Sequence, residues 1–322
     1  MFTNLKTQSF KVIPKKKQII KKQFNSKKLR RSKSRSRSST HKFQSTINNI
    51  VSIIDTTRTY TFSPLSLFMA LMILYNGLTG RNYKEIKKAL RLPNISNINK
   101  TCKTFSTELN SLKSVLIANS IWGRQEIKFK KHYVRLVNKY FNTKPRIFSN
   151  PQEINLWCAK KTNNLITEII DPDNTDIDIC LVNAIYFKDT WAIKFDKKLT
   201  KKRQFHIVNN SGKTKTKSID VMMMATKNKF NYFNNGSYQF IKLDYMESGV
   251  FAIVVLPTNK TSVHFDYDWK MVLDRLDRPD EYKEEIHFKM PKFEISSTHK
   301  LIPSLKKIGI KSIVDTLDLS KM

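Results

Sequence analysis

The spacing of apolar residues is helical in the first half of this chain and alternating in much of the second half. Apolar side chains recur at helical spacing over residues 43–54. Residues 61–80 then form a run that is apolar nearly all round, in which Ser63 is a natural N-cap and Pro64 suits the first helical position. Because it has no polar face, this helix is predicted to be buried on most sides.

Further elements follow from the same two periods. The spacing predicts helices over residues 82–93, 130–141, 150–166 and 299–308, and strands over residues 112–123 and 181–191. Residues 94–112 are polar, and no element is predicted there. Later the chain alternates and turns at Asn-Ser-Gly, Asn-Asn-Gly and Glu-Ser-Gly, as antiparallel hairpins do. Helices that precede strands predict an α+β fold with helices packed on antiparallel sheets.

The strand over residues 181–191 carries few charges and many β-forming residues, which predicts that both of its faces are covered. Asn183 interrupts this apolar run. A buried amide without partners would cost about 1–3 kcal/mol. The Asn183 side chain is therefore expected to have hydrogen-bond partners in the folded protein.

Net charge adds a second region to this picture. The chain has 59 Lys and Arg against 26 Asp and Glu, a net charge of +33. Residues 1–42 hold 15 of the basic residues and no acidic residue. They are predicted to be a disordered basic tail, and residues 43–322 to be the folded domain.

The tail is a candidate site for nucleic acid, an acidic glycan or another polyanion. Its candidate contacts are Lys27, Lys28, Arg30, Arg31, Lys33, Arg35 and Arg37. A second candidate patch is the basic segment over residues 128–139. No aromatic residue alternates with the tail charges, so base stacking is not predicted. The alternative is a solvated tail in a lysine-rich protein.

The sequence contains no established catalytic or metal-binding motif. It has no HExxH, GxGxxG or GxSxG motif, and its three cysteines show no CxxC spacing. No enzyme activity, metal or cofactor is therefore expected. No apolar run reaches the roughly 18–20 residues of a membrane span, and no signal peptide is predicted, which favours the cell interior.

Several short motifs, in a fixed order from residue 43 to 322, resemble the serpins, a family of protease inhibitors. The motifs are FSPLS at 62–66, Ala118-Asn119, Asn155 and Trp157 followed by Thr162, VMMM at 221–224, Leu256-Pro257, MPKFEI at 290–295 and IGIKSIVD at 308–315. The resemblance implies that Ser63 and Ser66 lie under the large sheet where its strands part. It also places Asn183 and Trp191 on the strand beside which a cleaved inhibitory loop inserts.

The chain departs from the family pattern at several positions. Thr59 replaces a usual asparagine, Asp189 a usual glycine, and Asn164 and Leu165 a usual glycine-lysine pair. More important, no Ala/Gly/Thr-rich hinge occurs in the sequence, and the hinge, reactive loop and C-terminal strands of the family are expected to be missing. The resemblance then implies a truncated, non-inhibitory serpin with no target protease.

Three interpretations stay open at this point. The first is a non-inhibitory serpin whose open sheet edge self-associates or accepts a strand from a partner. The second is a basic interaction protein that binds polyanions. The third is an interrupted reading frame; the richness in Lys, Asn and Ile suggests an AT-rich genome such as that of a large DNA virus.

Overall fold

The computed structural model describes residues 50, 61–92, 94–164, 166–174, 177–207, 217–247, 249–258, 268–278, 283–295, 301–312 and 318–322. The helices are α1 (Pro64–Tyr75), α2 (Gly80–Ala89), α3 (Ile95–Ser111), α4 (Lys131–Phe141), α5 (Pro151–Lys161), α6 (Trp269–Leu276) and α7 (Leu301–Lys307). The strands are β1 (Val115–Arg124), β2 (Arg146–Phe148), β3 (Ile179–Phe187), β4 (Asp196–Ile207), β5 (Lys217–Asn234), β6 (Tyr238–Asp244), β7 (Phe251–Pro257) and β8 (Lys283–Pro291). The predicted helix over residues 43–54 falls almost entirely outside these ranges, as does the tail.

Helix α1 forms the centre of the largest core, as its uniformly apolar sequence predicts. The Ser63 hydroxyl caps the helix by accepting the Ser66 N–H at 3.2 Å, and every residue from Ser66 to Tyr75 is buried. The Tyr133 hydroxyl of α4 donates to the Ile73 carbonyl at 3.0 Å inside this core. Side chains of α2, α3, α4, β1, β3 and α7 complete the cluster.

The sheet that contains β3 has three described strands in the order β2-β1-β3. β1 pairs with β3 in antiparallel register along the whole of β3, from Val115 opposite Phe187 to Gly123 opposite Ile179. β2 pairs with β1 in parallel, which the prediction of antiparallel sheets did not include. Alternate residues of β3 join the α1 core and a second core under α5, so both faces are covered as predicted.

The prediction that this strand continues to Trp191 is wrong. β3 ends at Phe187, and the Asp189 carboxylate accepts the Thr190 N–H at 2.6 Å just beyond it. A side chain that binds the next backbone N–H favours a turn over further strand pairing. Trp191 instead forms an isolated antiparallel bridge with Tyr245.

The second sheet has five strands in the order β4-β5-β6-β7, with β8 paired to β5. The Asn-Asn-Gly turn joins β5 to β6 as predicted, and Gly236 there has a positive φ of 89°. β4 begins at Asp196, well before the predicted alternation. Its first residues include many exposed lysines, so they show no alternation of apolar and polar side chains. The motif VMMM lies on β5, where Met223 is buried but Met222 is 47 % exposed.

The structure also contains helix α3, where no element was predicted. Asn94 caps it by accepting the Ser96 N–H at 2.9 Å. Its buried residues are Ile98, Asn99, Cys102 and Ser106, so half of its inward face is polar. Asn99 is satisfied by Asn76, whose amide group exchanges two hydrogen bonds with it at 2.8 and 3.0 Å. The spacing of apolar residues does not predict such a helix, because half of its buried residues are polar and Asn99 is satisfied by Asn76, outside the helix.

Residues 311, 312 and 318 contact α2 through hydrogen bonds with Glu85 and Asn82. The Glu85 carboxylate accepts the N–H groups of Lys311 and Ser312 at 2.9 and 2.8 Å and the Ser312 hydroxyl at 2.9 Å. The buried Met322 side chain packs against Gly77, and its carbonyl accepts the Lys130 N–H at 2.5 Å.

Glu85 is expected to make stability fall at acidic pH. Partial burial opposes its charge, but hydrogen bonds from Ser312, Arg81 and Lys311 outweigh that and lower its pKa from 4.5 to about 2. Because the folded pKa is depressed, the stabilisation is complete above the unfolded pKa and is lost as pH falls from there through the folded pKa. Glu85→Gln is expected to lower the free energy of unfolding by about 1–3 kcal/mol near neutral pH. In urea unfolding, this difference should shrink between the two pKa values; a difference independent of pH would contradict the assignment.

Candidate functional site

The candidate site is the edge of β3 that faces away from β1. Among the described strands, β3 pairs with β1 alone, so its other edge presents backbone N–H and C=O groups without a ladder partner. Free edges of this length are templates for pairing with another strand. The last three residues of β3, Ile185 to Phe187, are half-buried, so the C-terminal end is the most accessible part of this strand.

Asn183 lies midway along β3, opposite Asn119 of β1. Its amide nitrogen donates to the Asn119 side-chain oxygen, and the Thr143 hydroxyl donates to the Asn119 carbonyl at 2.6 Å. The Asn183 side-chain oxygen is buried and has no partner among the described residues. The predicted hydrogen bonding of Asn183 is therefore only half met.

Aromatic residues join the end of β3 to the second sheet. The Trp191 ring stacks on the Tyr245 ring at 4.4 Å with an interplanar angle of 16°. The ring of Phe187, the last residue of β3, makes an edge-to-face contact with the Tyr245 ring, with the ring centres 4.7 Å apart. Burial raises the pKa of Tyr245, and the nearby Asp189 carboxylate raises it further. Tyr245 therefore stays neutral and packs as an apolar ring.

Two carboxylates reinforce this junction. Glu247, in the turn between β6 and β7, accepts the N–H groups of Lys113 and Ser114 at 2.7 and 2.8 Å, immediately before β1. The Glu247 N–H in turn donates to Asp189 at 2.9 Å. Partial burial opposes the Glu247 charge, but these donors lower its pKa overall. We call Asp189 and Glu247 the carboxylate clamp, because together they tie β1, β3 and the β6–β7 turn.

The carboxylate clamp is expected to hold the end of β3 in place. Glu247→Ala removes the acceptor for two backbone N–H groups, and Asp189→Gly removes the acceptor for the Glu247 N–H. Each change is expected to lower the free energy of unfolding by about 1–3 kcal/mol. The double variant should fall short of the sum, because both changes break one network.

Chemical denaturation and amide hydrogen exchange measure this prediction. Faster exchange should be confined to Ser114, Glu247 and the last residues of β3. Glu126→Ala, which changes an exposed glutamate next to β1, is the matched control and should stay within about 0.5 kcal/mol of the unaltered protein. Additive effects of the two clamp changes would show that no clamp exists.

A family model described as serpin (serine protease inhibitor) matches residues 38–322. The chain belongs to the serpin family. The resemblance stated from the short motifs is confirmed, and so is the predicted α+β fold of helices packed on antiparallel sheets.

Similar proteins come from distant organisms. This serpin is 29% identical to mouse Serpin B11 over 297 residues, which cover 81% of the chain and 74% of that protein. It is 30% identical to Drosophila melanogaster serine protease inhibitor 42Dd over 291 residues, covering 85% and 75%. Among solved structures, Manduca sexta serpin-12 superposes with a TM-score of 0.76 at 24% identity, covering 87% of this chain and 81% of that one.

The structure brings the predicted site residues only partly together. Ser63 and Ser66 form the N-terminal cap of α1, a helix that shares a core with Leu181 of β3. That the two serines lie where the strands of the large sheet part stays a prediction. Asn183 lies on β3, but Trp191 lies past its end. The seven tail residues, from Lys27 to Arg37, lie outside the described residues, as does Thr59.

Two residues of the site were missed from the sequence: Asn119 as the partner of Asn183, and Glu247 as a clamp residue. The replacement of glycine by Asp189 was the available signal, since a carboxylate beside a turn needs hydrogen-bond donors. The replacement of the usual family residue by Asn164 has a local explanation in the backbone conformation. Asn163 and Asn164 both adopt positive φ, at 53° and 59°, a conformation that asparagine tolerates better than most residues with a Cβ.

Metal and thiol chemistry find no support in the described part of the chain. It contains no group of three or more potential metal-binding carboxylates, imidazoles or thiols. The three cysteines, Cys102, Cys158 and Cys180, are buried and free, and burial raises the pKa of each thiol to about 12. None of the described helices is long and apolar enough to cross a bilayer.

Proposed function

We propose that the polypeptide of residues 1–322 does not inhibit proteases as it stands, although the family is described as serine protease inhibitors. The resemblance implies that an inhibitor presents a loop to the protease, and that the cleaved loop inserts as a strand into the large sheet. The observation that carries the proposal is the lack, within these 322 residues, of an Ala/Gly/Thr-rich hinge that could enter the sheet beside β3.

The described residues that follow α7 do not pair with β3. Lys311 and Ser312 donate hydrogen bonds to Glu85 of α2, and Met322 packs against Gly77. Among the described strands, β3 therefore keeps its free edge. The proposal concerns residues 1–322 alone, and a longer product with a hinge and a loop would be a different inhibitor.

Protease assays test the proposal. Residues 1–322 are incubated with a panel of serine and cysteine proteases; we expect residual activity near 100 % and no SDS-stable complex. The matched control is a fusion of residues 1–322 to the C-terminal segment of Drosophila serine protease inhibitor 42Dd, which is 30% identical over the aligned region. Inhibition by the fusion alone would locate the deficiency in the missing segment. An SDS-stable complex with residues 1–322 would refute the proposal.

For the open edge of β3 we propose a strand-completing partner, either a second copy of this chain or an extended peptide. The support is the free ladder of β3 together with its half-buried last residues. Light scattering from about micromolar to hundred-micromolar protein, with and without an extended peptide, tests this. A monomer at every concentration that binds no peptide would overturn it.

A second candidate function is polyanion binding through the N-terminal tail. The tail has 15 basic and no acidic residues, while the remaining chain still carries a net charge of +18. Charges of this density bind phosphate or sulfate chains by releasing counterions, so affinity should fall steeply as salt rises. Binding of duplex DNA and heparin across salt concentration measures this, with Lys27, Lys28, Arg30 and Arg31 changed to Gln. Affinity independent of salt would exclude the function.

A further inference from the structure

A group of positive charges in the described domain lies on α2, α7 and the segments that pack with them. Residues 80–91, 301–312 and 318–322 carry nine exposed basic side chains and two acidic ones. The basic residues are Arg81, Lys84, Lys87, Lys88, Arg91, Lys306, Lys307, Lys311 and Lys321. We call this surface the α2–α7 basic face.

The packing of α2 explains why its charges point outward together. Asn82, Ile86 and Leu90 recur every four residues and are buried in the body of the protein. Lys84 and Lys88, also four residues apart, therefore share the opposite, exposed face. α7 is oriented in the same way, because Leu305 is buried in the same core while Lys306 and Lys307 remain exposed.

Hydrogen bonds join the two basic segments into one surface. The Asn82 side chain donates to the Ser312 hydroxyl at 2.8 Å and accepts the Asp318 N–H at 2.9 Å. The Lys321 ammonium lies 5.4 Å from the centre of the Tyr83 ring on α2. The ammonium of Lys130, the N-cap residue of α4, donates to the Ser320 carbonyl. The face is therefore fixed by folded structure and does not depend on the tail.

Both acidic residues of the face are already engaged by protein donors. Glu85 is paired with Arg81 at 2.9 Å and accepts hydrogen bonds from Lys311 and Ser312. Asp318 accepts hydrogen bonds from the Thr79 hydroxyl and the Ser320 N–H. Both carboxylates keep their negative charge, so nine basic and two acidic side chains leave the face with a net charge of +7.

The lysines of α2 and α7 form no ion pair within the described residues, whereas lysines of β4, β5, β6 and α6 do. Like charges at helical spacing repel and lower stability by a few tenths of a kcal/mol per pair. A bound anionic chain would place negative charges between these lysines and so offset their mutual repulsion. The arrangement fits a partner with regularly repeated negative charges.

We infer that the α2–α7 basic face binds the phosphodiester backbone of double-stranded nucleic acid, without reading its bases. Within the described residues of the face, the one aromatic residue is Tyr83. Its ring is stacked on Tyr75 at 4.4 Å and covered by Lys321, so it is not free to stack on a base. Lysines on two rigid helices suit phosphates at fixed positions on a duplex. This inference extends the proposed polyanion binding to a second, folded surface.

Salt-dependent binding of duplex DNA to the full chain tests the inference. The test variant changes Lys84, Lys88, Lys307 and Lys311 to Gln. The control variant changes Lys160, Lys161, Lys197 and Lys198 to Gln, four lysines that are equally exposed elsewhere. Each lost duplex contact lowers the slope of log affinity against log salt by about 0.9. We expect the test variant to lose about 3–4 units of slope and more than tenfold in affinity, and the control variant to lose less than one unit.

The outcomes separate this inference from the proposed polyanion function. Equal losses in the two variants, or losses only when the tail lysines are changed, would overturn the α2–α7 basic face and leave polyanion binding standing. No binding by the unaltered chain at low salt would overturn both. Binding of heparin with no binding of duplex DNA would exclude nucleic acid as the partner. Thermal unfolding of each variant without ligand shows that it is folded.

Discussion

Asn155→Ala is expected to lower the free energy of unfolding by about 2–4 kcal/mol. The Asn155 side chain on α5 is only 1 % exposed. Its oxygen accepts the N–H groups of Ile169 and Ile170 at 2.9 and 3.1 Å, and its amide donates to the Ile170 carbonyl at 2.8 Å. The alanine would leave three buried backbone groups without a partner, in a segment that leads from α5 to β3.

The loss should be concentrated in that segment. Ile169 and Ile170 contribute to the core between α5 and the sheet, so their amides should exchange faster and limited proteolysis should cut nearby. Asn138→Ala is the matched control. It is the same substitution in a helix, but Asn138 lies on the exposed surface of α4. If the two variants were equally stable in urea, the three hydrogen bonds of Asn155 would contribute nothing net.

Gly123→Ala is expected to lower the free energy of unfolding by about 1–3 kcal/mol through overpacking. Gly123 lies near the end of β1, with Ile147 of β2 on one side and Ile179 of β3 on the other. A Cβ atom added there would lie 2.8 Å from both Cβ and Cγ2 of Ile127 and 3.1 Å from Cζ of Phe129. Because the Ile127 Cβ is fixed to the backbone, relief requires the backbone to move.

A second substitution identifies the cause. Ile127→Gly removes both Cβ and Cγ2, so the double variant with Gly123→Ala should be more stable than the sum of the single changes predicts. Urea unfolding of the four proteins gives this coupling energy. Strict additivity would mean that the loss at Gly123 comes from strand pairing and not from contact with Ile127.

Local sequence was enough to predict the elements whose cause is local. α1 follows from its N-cap Ser63, the proline after it and a run with no polar face, and the structure buries that run as predicted. α5 begins at Asn150-Pro151 for the same reason, with the Asn150 side chain accepting the Glu153 N–H at 3.3 Å. The ordered series of short motifs was likewise sufficient for the family.

Helix α3 and the basic first part of β4 were not predicted, because what stabilises them is not encoded nearby. The buried Asn99 of α3 is satisfied by Asn76, 23 residues earlier in the chain. The lysines of β4 gave no alternating apolar signal, and this part of the strand forms because β5 pairs with it from Lys201 opposite Met223 to Arg203 opposite Val221. Pairing between strands depends on the partner as much as on the strand.

By itself, the sequence determined the family, the central buried helix, the both-sided burial of β3 and the excess of positive charge. Only the tertiary structure decided where β3 ends and what surrounds it. The carboxylate clamp joins Asp189 to Glu247, 58 residues later, and Glu247 to Lys113, 134 residues earlier. The α2–α7 basic face combines residues about 220 to 240 positions apart. Periodicity and capping record only interactions within a few residues, whereas these sites arise from chain segments that meet when the sheets and helices pack.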